Sequence, residues 1–265
     1  MFTMQREACR RRDRQTVNAI LDNIYETGCT SDADGNLREA FPASLCREDG
    51  TALYRVVCET HAKRTLEIGM AFGVSTLFIC QAHHDEGGGD HTAIDPHQQR
   101  WWTSVGKLNV ERAGFADMVR CIEQPSYEVL PKLLEAEERF DFVFIDGNHR
   151  FEYTLVDFFY IDRLLNVGGH VMLHDPWLPA IRKVLSFVLR NREQTYEIAP
   201  EFVGGPHRTW GWFRAFLKTW VQEPLDFNSA RVYAARPYFN HCVLKKIAEH
   251  DPESYDQAWD FYRSF

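Results

Sequence analysis

Between residues 64 and 190, short apolar runs alternate with longer stretches in which apolar residues recur every three or four positions. The short runs are Thr65–Ile68, His91–Ile94, Met118–Ile122, Phe140–Ile145 and His170–Leu173. At four to six residues each, they fit strands better than helices. Phe140-Asp141-Phe142-Val143-Phe144-Ile145 is dense in β-formers, as a buried central strand should be. Helical spacing fills the gaps near 75–83, 99–112, 126–136, 151–165 and 178–190. This alternation predicts right-handed βαβ units and a parallel sheet.

The flanks carry weaker patterns. Val17, Ile20, Leu21, Ile24 and Tyr25 form one stripe of a helix expected over 3–26. Residues 27–45, with Gly28, Asp32, Asp34, Gly35 and Pro42, read as a loop, and a second helix is expected over 51–61. Past residue 190, Thr195–Ala199 and Trp212–Leu217 read as two further strands, antiparallel at the sheet edge. The aromatic-rich tail is expected to be helical near 241–249 and 253–263.

In an open α/β sheet, ligands bind beyond the carboxyl ends of the strands. Each apolar run here is followed by polar groups. The first leads into Glu67-Ile68-Gly69-Met70-Ala71-Phe72-Gly73-Val74-Ser75-Thr76, a glycine turn followed by a helix start. Glycine allows close backbone approach to a ligand, and Ser75 and Thr76 suit a first helical turn. The second run gives Asp95-Pro96-His97, where Asp95 can accept from ribose hydroxyls and Pro96 can pack on an adenine face. The third is followed by Glu123-Gln124-Pro125-Ser126, the fourth by Asp146-Gly147-Asn148-His149, and the fifth by His174-Asp175-Pro176. The glycines fall as G-x-x-x-G rather than the dinucleotide G-x-G-x-x-G. A carboxylate at Glu67 also suits a cationic ligand better than a pyrophosphate. His83-His84-Asp85 and Asp90-His91 belong to the opposite end of the sheet and are not read as a site.

Composition narrows the class. The chain has 265 residues, 45% of them hydrophobic, and a formal net charge of −8, so a nucleic-acid partner is not expected. Arg10-Arg11-Arg12 with Arg14 reads as a solvated helix face. Seven cysteines without a C-x-x-C pair favour free thiols in a reducing compartment. No apolar run reaches membrane-spanning length, and no signal peptide is evident. The expectation is a cytoplasmic protein with no membrane partner.

The pattern E-x-G-x-x-x-G resembles the first motif of class I S-adenosylmethionine methyltransferases. Residues 51–190 resemble their O-methyltransferase-like branch, the small-molecule methyltransferases related to the macrolide and catechol enzymes. Thr65–Thr76, Thr92–Pro96, Gln124–Leu133, Phe140–Tyr153 and Gly168–Pro176 carry the likeness. Asp146-Gly147-Asn148-His149-Arg150-Phe151-Glu152-Tyr153 is similar to that branch's D-G-x-H-x-Y-E signature, its aromatic positions met with one substitution in the order Phe151-Glu152-Tyr153. The resemblance implies an α/β, Rossmann-like three-layer sandwich with a seven-stranded, mostly parallel sheet. Residues 1–62 would form an N-terminal helical cap, 63–219 the core, and 220–265 an aromatic-rich helical extension.

The resemblance further implies S-adenosylmethionine as cofactor, held by Glu67, Gly69, Ala71, Gly73, Ser75, Asp95, Pro96, Ser126 and Asp146. It places His149 as the base for O-methylation of a small-molecule hydroxyl, beside Asp146. In metal-dependent relatives, acids matching Asp146 and Asp175 hold magnesium. The third ligand position here is His174, which better suits manganese, iron or zinc. Trp101 and Trp102 are expected to close over adenine or to pack the helix. Tyr153, Trp177, Phe202, His207, Trp210 and Trp212 are candidates for an acceptor pocket, and the aromatic tail for a homodimer interface. Two rivals remain, a catalytically silent cofactor-binding module and a nicotinamide-dependent reductase.

Overall fold

A computed structural model describes residues 18–202 and 241–250 of the chain. Ahead of the sheet come α1 (Ala19–Thr27), β1 (Cys29–Ser31), β2 (Leu37–Glu39) and α2 (Arg47–Thr60). The alternating core follows as β3 (Arg64–Ile68), α3 (Val74–Asp85), β4 (Asp90–Ile94), α4 (Val105–Arg112), β5 (Val119–Ile122) and α5 (Ser126–Glu135). It continues with β6 (Phe140–Ile145), α6 (Phe151–Leu164), β7 (Leu165–His174), α7 (Pro179–Asn191), β8 (Tyr196–Ile198) and β9 (His241–Lys246).

The main sheet has seven strands in the order β5-β4-β3-β6-β7-β9-β8. Strands β3 to β7 pair in parallel. β9 runs antiparallel beside β7, and β8 antiparallel beside β9. The strand order reverses between β3 and β6, which opens a crevice at their carboxyl ends. Pleating sends alternate residues to opposite faces. Leu66, Ile68, Val143, Ile145, Val171 and Leu173 pack under α5, α6 and α7. Phe142, Phe144, Met172 and Val243 pack against α1 to α4 on the other face. The three-layer sandwich with a mostly parallel sheet is therefore as the sequence implied.

Four local expectations change. Within 27–45, β1 and β2 form a hairpin. Asp32 makes it by accepting from the Asp34 and Asn36 amides and the Arg38 guanidinium; strands of three residues are too short to show a period. The helix expected over 99–112 begins only at Val105, because Thr103 and Ser104 take positive φ of 47° and 57°. The turns this leaves at 97–104 put Trp101 on the crevice rim. Residues 241–246, expected within a helix over 241–249, instead form β9. Pairing on both edges with β7 and β8 overrides local helix propensity. The fifth strand begins at Leu165, earlier than expected, and its register with β6 shifts between Phe140 and Phe142. The front of the helix expected over 3–26, the strand at Trp212–Leu217, the helix at 253–263 and the 219/220 boundary lie outside the described residues.

Beneath the crevice lies a buried polar chain. His83 Nε2 and His91 Nδ1 are 2.8 and 2.9 Å from the Thr65 hydroxyl. His91 Nε2 is 3.3 Å from Glu67 Oε1, which also accepts from the Thr76 hydroxyl. Burial, reinforced by the charges of His91 and Lys63, holds His83 down at about 4, so it is neutral near pH 7. These histidines brace the sheet and form no open site.

Candidate active site

The carboxyl ends of β3, β4, β6 and β7, with the segment Pro42–Leu45 and the loop before α5, enclose a cavity of about 700 Å³. Its two sides are built differently.

On the β3–β4 side, backbone contacts set the shape. Gly69 has φ +93°, and a Cβ there would collide with the Asp146 carbonyl oxygen. Gly73, with φ +80°, lies against the Gly106 backbone, less closely than Gly69 against Asp146, and does not line the cavity. Both glycines thus serve backbone-to-backbone approach, and Gly69 also forms part of the wall. Asp95 is buried, and its carboxylate accepts from the amides of Met70, Ala71 and His97 at 3.2, 2.8 and 2.8 Å and from Gln98 Nε2 at 3.0 Å. It clamps the glycine turn to the end of β4. Gly69, Ala71, Ser75, Asp95, Pro96 and Ser126 all line the cavity. Asp157 on α6 is buried, which pushes its carboxyl up to about 6 although Ser126 favours the charged form.

Glu67 is placed otherwise than the sequence suggested. Its side chain is fully buried against Thr76 and His91 and is absent from the cavity wall. In an alternating strand, Ile68 reaches the cavity and Glu67 faces α3. Trp101 is 60% exposed and stacks on His97 with centroids 3.6 Å apart at the cavity rim. Trp102 packs edge-on against Phe72, with centroids 5.1 Å apart.

On the β6–β7 side, the wall is charged. His149 Nε2 lies 3.3 Å from both Asp146 Oδ1 and Asp175 Oδ2. His174 Nδ1 lies 3.0 Å from Asp146 Oδ1 and 3.5 Å from Asp175 Oδ1. One ligand-type atom from each of these four residues falls within 4.8 Å of the others. The Asp146 and Asp175 carboxylates push His149 up to about 9 despite partial burial. Burial opposes charge on His174, yet Asp146, Asp175 and Asp49 outweigh it and push it up to about 12. Asp175 is held well below the carboxylate range: burial would raise it, but His149 and His174 dominate. Trp177 Nε1 donates to Asp175 Oδ1 at 2.8 Å. The pattern is that of two carboxylates seeking cations. Two acids and two imidazoles within reach of one point also suit a divalent ion.

Of the expected acceptor-pocket residues, Tyr153 lines the cavity, Trp177 is exposed beside it, and Phe202 is buried against His170. His207, Trp210 and Trp212 lie outside the described residues. Sequence reasoning missed Pro42–Leu45, Tyr127, Asp49 and His241. Asp49 is 3.6 Å from His174 Nε2, and β9 sets His241 opposite His174 in register. Both come from segments remote in sequence, so no local pattern could have announced them.

Known proteins agree with this architecture. Residues 66–176 match the model of a methyltransferase domain family. A catechol O-methyltransferase of Mycobacterium tuberculosis is 32% identical over 105 residues, 40% of this chain and 45% of that protein. A caffeoyl-CoA O-methyltransferase of Populus kitakamiensis is 27% identical over 169 residues, 57% of this chain and 67% of that protein. The chain spans about half the length of most curated relatives it matches. Among solved structures, an SAH-bound methyltransferase of Podospora anserina superposes with TM-score 0.54 at 18% identity, covering 92% of this chain and 95% of that one. An O-methyltransferase of Bacillus cereus in complex with SAH superposes with TM-score 0.52 at 18% identity, covering 86% and 91%. These two likenesses speak for the fold alone. Residues 66–176 thus match a methyltransferase domain, and the chain is similar there to O-methyltransferases with which it shares the class I, Rossmann-like fold.

Proposed function

We propose that the protein is an S-adenosylmethionine-dependent methyltransferase that methylates a hydroxyl of a small-molecule acceptor. The observation that carries this reading is the division of one cavity. A backbone-built cradle of Gly69, Ala71, Ser75, Asp95, Pro96 and Ser126 faces a charged wall of Asp146, His149, His174 and Asp175. The cradle is suited to an adenosyl group. Asp95 stands at the end of β4, where a ribose would be held, and Pro96 and Ser126 flank the place for adenine. The first turn of α3, with Ser75, suits a carboxylate. Glu67 supports the turn through Thr76 rather than touching the cofactor.

Bound S-adenosylmethionine would supply the methyl group. The chain's own residues align acceptor and cofactor and manage the proton of the acceptor hydroxyl. His149 is one-third exposed at the cavity wall, with Nε2 turned to Asp146 and Asp175, and its other ring nitrogen can take that proton. The carboxylates of Asp146 and Asp175 then stabilise the imidazolium. Asp146, Asp175, His174 and His149 also fit a divalent ion, which when bound would orient acceptor oxygens and lower a hydroxyl's pKa.

The reductase reading is weaker. A pyrophosphate needs free amides at the glycine turn, and those of Met70 and Ala71 are already bonded to Asp95. A silent module would not require four ionisable groups converging on the cavity. Transfer of labelled methyl from S-adenosylmethionine to a panel of catechols, other phenols and sugar hydroxyls tests the proposal. Label in a hydroxyl product is expected; transfer to amines alone would sink the O-methylation claim.

A further inference from the structure

Asp49 comes from α2, far from the sheet in sequence, and is 2% exposed. Its Oδ1 accepts from His241 Nδ1 at 2.7 Å. Its Oδ2 accepts from the Cys46 thiol at 2.8 Å and lies 3.6 Å from His174 Nε2. His174 therefore stands between two carboxylate environments, with Nε2 toward Asp49 and Nδ1 toward Asp146 and Asp175. A carboxylate paired with one imidazole nitrogen biases the ring angle, and a metal that displaces the proton of the other nitrogen can use its lone pair.

We propose that Asp49 is a positioning residue: its carboxylate, paired with His174 Nε2 at 3.6 Å, draws that nitrogen toward α2 and so turns Nδ1, as a metal-ligand atom, toward the space shared with Asp146, Asp175 and His149. This rests on the reading of the charged wall as part of a methyltransferase site. It has a chemical consequence. Two carboxylates with one or two imidazoles favour a borderline ion such as manganese, iron, cobalt or zinc, whereas magnesium prefers an all-oxygen set. The segment ahead of the sheet thereby helps choose the metal. Asp49 is tied on both sides, by Cys46 from its own helix end and by His241 from β9, so it can hold one orientation. Burial would raise its carboxyl, but His174, His241 and Cys46 keep it well below the usual range.

The test is titration of the chelator-treated full chain with cobalt(II), read by its visible absorption, and with magnesium by calorimetry. Wild type, Asp49→Asn and His174→Gln are compared, with melting temperature and S-adenosylhomocysteine binding measured on the same samples. Wild type is expected to bind one cobalt at least about tenfold more tightly than magnesium. Asp49→Asn should weaken cobalt by about 10- to 100-fold and alter its spectrum, with magnesium changed by less than about threefold. His174→Gln should abolish the preference for cobalt. An unchanged cobalt affinity and spectrum in Asp49→Asn would overturn the proposal, as would a wild type that takes no cobalt or prefers magnesium. If Asp49→Asn does not fold, His174→Gln decides: retained cobalt preference there overturns it. Failure to bind S-adenosylhomocysteine would count against the methyltransferase reading separately, whatever the metal result.

Discussion

The two sides of the cavity differ in how they are held. The β3–β4 side is a backbone construction, with Asp95 gathering three amides and Gln98 around a glycine turn. The β6–β7 side is a side-chain construction, with four ionisable groups facing one another across 3.0 to 3.5 Å. The first kind of site fixes shape; the second stores charge and can move protons. The difference predicts that binding and chemistry separate under mutation, with damage on one side leaving the other largely intact.

The sharpest break should come from His149→Gln. Loss of a positioned base typically costs about 10²–10⁴-fold in rate, and S-adenosylhomocysteine affinity should stay within about threefold because His149 lies outside the cradle. With an acceptor in hand, steady-state rates and calorimetry on the variant check both halves. A normal kcat would remove His149 from the mechanism. Its elevated pKa of about 9 sets the sign of the pH effect. The base form gains with alkali, so the wild-type rate should climb toward pH 9, and that limb should vanish in the variant.

Gly69→Ala attacks the hinge between the sides. Its Cβ meets the Asp146 carbonyl at a φ that favours glycine, so a loss of about 3 kcal/mol or more is expected in urea unfolding. A stable, cofactor-binding variant would show that the two strand ends are farther apart than described.

Beneath both sides, His83 and His170 are buried and held down at about 4. Unfolding restores each to about 6.5, so between about pH 4 and 6.5 the unfolded chain binds more protons. Stability should therefore be full above about pH 6.5 and fall as pH drops toward 4, by up to about 3 kcal/mol per histidine. Urea midpoints across this range test it, and His83→Gln should flatten the slope. The smallest effect is Trp101→Ala. This exposed ring at the rim should change folding stability by less than about 0.5 kcal/mol and weaken cofactor binding by about tenfold or less.

The contrast between the sides also explains what could be read from sequence. The glycine turn, Asp95 and the motif Asp146-Gly147-Asn148-His149 are local in the chain, and alternating strands and helices place them together at one sheet edge. Glu67 was legible as an important residue but not in its direction, because a one-residue step along a strand reverses the face. Asp49 and His241 became neighbours of His174 only through tertiary pairing. β9 itself is a strand because β7 and β8 flank it, a fact with no local signature. The short hairpin β1–β2 and the positive-φ turn before α4 were hidden for the same reason, as side-chain bonds and backbone exceptions override periodicity.

The most direct test of the account is calorimetric titration of S-adenosylmethionine and S-adenosylhomocysteine into wild type and Asp95→Ala, with NADH as control. The account predicts micromolar binding of both sulfur compounds, none of NADH, and a loss of about 100-fold or more when Asp95 releases the turn. Binding of NADH instead, or unchanged affinity in Asp95→Ala, would contradict it.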